Sequence, residues 1–129
     1  PNASALPIDI NTGIHDGHRG SVPVSQAINA YNILAAPEDR ITSEDIDFIV
    51  KNEKIPKPLI FTEKDPSFGE HFVLLRKKSW KVRLTLFEGG HDILATTALA
   101  WLAKQISGKA PDWSAGENLN RMTIAELAK

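Results

Sequence analysis

The chain has 129 residues, no cysteine and a net charge of −1, which is one domain's worth at most. That balance excludes the basic excess of a nucleic-acid binder, no apolar run is long enough to span a membrane, and disulfide and thiolate chemistry have no residues to use. The lack of Cys leaves the compartment open, a soluble secreted or periplasmic setting included.

Pro1 to Ala5 reads as a loop, and a start at Pro1 without a signal-peptide pattern reads as a processed, trimmed or partial chain. From Leu6 to Ile14, apolar Leu6, Ile8 and Ile10 alternate with Pro7, Asp9 and Asn11, the period of a strand that breaks at Gly13. Gly17 and Gly20 bracket a tight loop. Ser21 is placed to cap a helix with Pro23 in its first turn. Val24, Ala27, Ile28 and Tyr31 then share one helical face, which ends between Leu34 and Ala36 ahead of Pro37.

Residues 37–80 read as a helical insertion or cap, too apolar for a linker. Thr42 or Ser43 can cap a short helix with Glu44, Asp45 and Asp47 in its first turns and Ile46, Ile49 and Val50 inward. Lys54 to Pro58 is a proline-marked connection, Leu59-Ile60-Phe61 an apolar run of either type, and Asp65 to Gly69 a turn. His71 to Lys78 is expected to be another short helix, with Phe72, Leu74 and Leu75 inward and Arg76-Lys77-Lys78 as its solvated basic end.

Trp80 to Leu86 is the second strand. Asp92 to Ile106 carries the clearest helical pattern, apolar at Ile93, Ala98, Trp101, Leu102 and Ile106, and it stops at Gly108 with Pro111 beyond. In the tail from Asp112, Thr123 to Glu126 has capping-box spacing for a short terminal helix.

Each strand therefore ends in a loop bearing an ionisable group and is followed by a helix, which is the doubly wound pattern. Reacting groups in such sheets gather outside the carboxyl ends of the strands. Two glycines lift His91 off the second strand end in Phe87-Glu88-Gly89-Gly90-His91, and the first strand end offers Asp16 in Gly13-Ile14-His15-Asp16. If the strands are parallel neighbours, Asp16 and His91 share a rim. A carboxylate on Nδ1 fixes the imidazole's tautomer and stabilises the imidazolium formed when Nε2 takes a proton. A nucleophile is missing. A serine elbow needs glycine on both sides, and none of the eight serines has it; Ser67 has Gly69 but Asp65 opposite.

Gly13-x-x-Asp16, then Ser21-Val22-Pro23 with its helix, and later Phe87-Glu88-Gly89-Gly90-His91 resemble the C-terminal part of an α/β-hydrolase. The resemblance is closest to prolyl-oligopeptidase-like serine peptidases and esterases and covers roughly residues 6–34 and 80–113. It implies an α/β fold: the C-terminal portion of a doubly wound hydrolase sheet, with the last two parallel strands, flanking helices and a helical insertion. It also implies Asp16 as acid and His91 as base of a Ser-His-Asp triad, with no cofactor and a small ester or amide as substrate. The partner it implies is the N-terminal part of the same hydrolase, cleaved or separate, carrying the serine. So few elements also leave a strand edge open and bury little surface.

Two other readings stand beside this one. His15, Asp16 and His18, with His91 and Asp92, could form a metal site, although adjacent residues on an extended segment point apart. Alternatively, Asp16 and His91 merely pair in a non-enzymatic binding or structural subunit. On the hydrolase reading, Asp9 bonds a loop, His15 and His18 line a loop or pocket wall, and His71 lies on the surface. Asp92 then sits in the first turn of the last helix and Trp101 in the core, while Trp80 and Trp113 could offer aromatic platforms.

Overall fold

The computed structural model describes residues 6–18 and 22–115. Strand β1 (Ile8–Gly13) is followed by helix α1 (Val24–Leu34) and helix α2 (Ser43–Asn52). Strands β2 (Val73–Ser79) and β3 (Val82–Phe87) come next, then helix α3 (Ala95–Leu102). The sheet runs β1-β3-β2, with β1 parallel to β3 and β2 antiparallel to it. It is a small mixed α/β sheet.

Strand β3 is central, and all six of its residues are buried, as a strand covered on both faces requires. Val82, Leu84 and Leu86 join Leu75, Ile14 and the inner face of α1 (Val24, Ile28, Tyr31), with Ile49 of α2 behind. That spacing on α1 is the helical stripe expected from sequence. Pro23, not Ser21, occupies the α1 N-cap, and Ser21 lies outside the described residues. Thr42 caps α2 by accepting from the Asp45 amide (3.2 Å).

The alternate β3 residues face the other way. Phe87 packs with Phe68 and Val73, and Arg83 forms a two-point ion pair with Asp9, its register partner on β1. Asp9 thus bonds a strand neighbour rather than a loop.

Two elements differ from expectation. Residues 71–78 are not a helix: residues 73–79 form β2, joined to β3 by the two residues Trp80 and Lys81, with Trp80 at φ 52°. The insertion therefore adds a strand to the sheet. The Arg76–Lys78 run is not a solvated helix end. Arg76 pairs with Asp65 (2.9 Å) and lies between the rings of Phe61 and Phe68.

The last helix spans residues 95–102 rather than 92–106, and its inward residue is Thr97, bonded to Ser67 Oγ at 2.7 Å. Ile93, Leu99, Leu102 and Ile106 are exposed. The helix expected near 123–126 lies outside the described residues. Among the described residues no helix is long and apolar enough to cross a membrane.

Candidate functional site

Parallel pairing of β1 with β3 puts the loops after both strands at the same end of the sheet. Close backbone approach then joins them. The Ile14 amide donates to the Phe87 carbonyl (2.9 Å) and the His15 amide to the Gly89 carbonyl (3.0 Å). A Cβ on Gly13 would lie 2.2 Å from the Gly90 oxygen and 2.3 Å from the Gly89 oxygen, so the crossing needs glycine there. Gly17, at φ +94°, lies close against Pro23, whose Cα would be 2.6 Å from a Cβ placed there.

On this rim His91 Nδ1 lies 3.0 Å from Asp16 Oδ2 and 3.2 Å from Oδ1. The acid side chain is 9% exposed and the imidazole 63%. Asp16 is held by its surroundings: the Thr12 hydroxyl donates to Oδ2 (3.4 Å), and its carbonyl takes the Val24 amide at the start of α1 (3.2 Å). A buried, anchored carboxylate beneath an exposed ring holds Nδ1 as the donor and leaves Nε2 as the nitrogen able to take a proton. Sequence reasoning anticipated both residues, and the fold brings them together.

The neighbouring residues take other roles. Asp92 is not in the last helix; its carboxylate accepts from the Gly90 amide (3.1 Å) and stiffens the turn beneath His91. His71 is half-buried rather than a surface residue, edge-on to Phe87 with Nδ1 2.9 Å from the Glu88 carbonyl oxygen. His15 lies between Glu53 and Glu88, an arrangement that single-sequence spacing could not reveal because the two glutamates are 35 residues apart in the chain. An apolar pocket of about 310 Å³, lined by Ile14, Ile55, Ile60, Phe61 and Leu74, has those same glutamates on its wall.

Among the described residues no three His, Cys, Asp or Glu side chains converge to hold a metal ion, so His15, Asp16 and His18 do not form the set a metal centre would need. Trp101 is half-buried and stacks on Trp113 (5.8 Å between centroids), while Trp80 is exposed at the hairpin turn. Among the described residues no hydroxyl group is hydrogen-bonded to His91. No family model, curated protein or solved structure matches this chain.

Proposed function

We propose that this chain supplies the acid and base of a serine hydrolase of the esterase or peptidase type, within the C-terminal part of an α/β-hydrolase sheet. The observation that carries the reading is the contact between His91 Nδ1 and Asp16 at the carboxyl ends of two parallel strands. In the reaction, His91 Nε2 takes the proton of a serine hydroxyl as that oxygen attacks an ester or amide carbonyl. Asp16 stabilises the imidazolium, which then protonates the leaving alcohol or amine. Water, activated by the same nitrogen, releases the acyl group.

The serine belongs to a polypeptide region outside residues 1–129. Two features are compatible with that. The outer edge of β1 is unpaired among the described residues, and the outward side of α3 exposes Leu99 and Leu102, where a further layer would sit.

A fluorophosphonate that tags activated serines, read by native mass spectrometry, tests the proposal. The expected result is a complex in which this chain stays untagged, its companion polypeptide takes up one tag, and His91→Ala abolishes uptake. Uptake unchanged in His91→Ala would overturn it, as would a companion that carries no reactive serine.

A further inference from the structure

His15 is adjacent to Asp16 in the chain but makes a different set of contacts. Its Nδ1 is 2.8 Å from Glu53 Oε1 and its Nε2 is 2.5 Å from Glu88 Oε1. Carboxylates only accept, so both ring nitrogens must donate, and the ring that makes both bonds is an imidazolium. Glu88 first, then Glu53, raise its pKa above the ordinary 6.5, with burial opposing them.

These two bonds join segments that are distant along the chain. Glu53 closes α2 from a left-handed backbone conformation, φ 51° and ψ 39°. Glu88 opens the segment that leads to His91; its amide donates to the Phe72 carbonyl (2.8 Å) and its own carbonyl faces His71. The His15 amide meanwhile donates to the Gly89 carbonyl (3.0 Å). One residue thus bonds the His91 loop through both its backbone and its ring, and it bonds the insertion through the ring's other nitrogen.

We propose that His15 is a positioning residue. As an imidazolium it fastens the insertion, through Glu53, and the His91 loop, through Glu88, to the loop that carries Asp16, and with the single N–H left after it loses its proton it can no longer hold both. Its importance for turnover rests on the reading of Asp16 and His91 as acid and base; the fastening itself does not.

The charged groups around His15 come from four places. The end of α2 brings Glu53 and Lys54, and the end of β3 brings Glu88 and, three residues on, His91. Its own loop brings Asp16 and His18, whose Nε2 is 3.7 Å from Glu53 Oε1. The segment before β2 brings His71. His18 stands beside Glu53 as a second partner, whereas Glu88 has no second cationic side chain within ion-pair distance among the described residues. Loss of the His15 charge therefore weakens the Glu88 side first, the side that leads to His91.

Amide hydrogen exchange of the full chain, followed by NMR across the neutral pH range and corrected for intrinsic rates, tests the proposal. The reporter is the His15 amide, bonded to Gly89, and the β2–β3 ladder amides are the reference. Protection of the reporter is expected to fall roughly fivefold as pH rises through the His15 midpoint, the change for an exposed charge-assisted contact. His15→Gln is expected to show the low protection at every pH, and His15→Arg, which keeps its charge, the high protection at every pH. Should His15→Gln fail to fold, Glu88→Gln leaves the imidazole in place and is expected to lower the pH at which protection is lost.

Protection that is independent of pH in the wild type, or that falls equally in His15→Arg, would overturn the fastening. Failure of the acid–base reading would leave these exchange results unchanged, so the two failures are distinguishable.

Discussion

Gly13 and Gly90 meet backbone to backbone: a Cβ on Gly13 would lie 2.2 Å from the Gly90 carbonyl oxygen, while a Cβ on Gly90 would meet nothing within 4 Å. The two glycines are therefore not equivalent. The space at Gly13 is bounded by main chain, which cannot rotate away as a side chain can. Gly13→Ala is expected to cost about 1–3 kcal/mol, as overpacking does, and to part the loops that carry Asp16 and His91. Gly90→Ala is expected to leave stability within about 0.5 kcal/mol of wild type, as an open-space substitution does. Urea unfolding of both variants checks the asymmetry; equal effects would contradict it.

Asp9 and Arg83 make the most deeply buried ion pair described, with side chains 3% and 2% exposed and contacts of 2.8 and 2.9 Å. The guanidinium also reaches the Trp113 carbonyl and lies over the Trp113 ring. Removing one partner leaves a buried charge without its counter-charge. Asp9→Ala is accordingly expected to lower unfolding free energy by about 3–5 kcal/mol, while the double variant Asp9→Val/Arg83→Met is expected to regain most of that loss. Additive losses in a double-mutant cycle would show that the pair is not coupled.

Tyr31 is the single tyrosine of the chain and is fully buried on α1, its hydroxyl donating to the Asp39 carbonyl (3.2 Å). Burial, with a smaller contribution from Asp39, pushes its pKa up to about 12 from 10. The neutral phenol is therefore the form the fold prefers. Its contribution to stability is complete below pH 10 and is lost as pH rises from there toward 12. The near-ultraviolet phenolate band should appear only near pH 12, together with loss of the folded circular dichroism signal. A band that develops around pH 10 in the still-folded protein would contradict this.

How legible these features were in the sequence depended on the kind of information each needed. Helix α2 is readable because period, cap and burial agree, with Ile49 inward and Thr42 capping, whereas α1 and β1 are readable from their apolar period alone. The Asp16–His91 contact was readable because two strand ends of matching form imply one shared rim.

Strand β2 was not readable. The continuous apolar run Phe72–Leu75 suits either element, and a register shift between Val73 and Leu75 disturbs the alternation that would have identified a strand. The better signal was the two-residue spacing at Trp80 and Lys81 ahead of β3, the length of a hairpin connection. The apolar pattern overstates the extent of α3, because spacing reports only what a helix could bury. Ile93 is 91% exposed with no described neighbour to cover it. The His15 bridge and the Asp9–Arg83 pair depend on tertiary contacts between residues 38 to 74 positions apart, which no local pattern encodes.

The most direct test of the central claim is the ring-nitrogen spectrum of His91, recorded by two-bond proton–nitrogen NMR on the full chain at alkaline pH, below the range in which Tyr31 ionises. The account predicts that the neutral ring carries its proton on Nδ1, toward Asp16, with Nε2 bare and able to accept a proton, and that Asp16→Asn removes this preference. A neutral His91 protonated on Nε2 in the wild type, or a tautomer unchanged by Asp16→Asn, would contradict the assignment of Asp16 and His91 as acid and base.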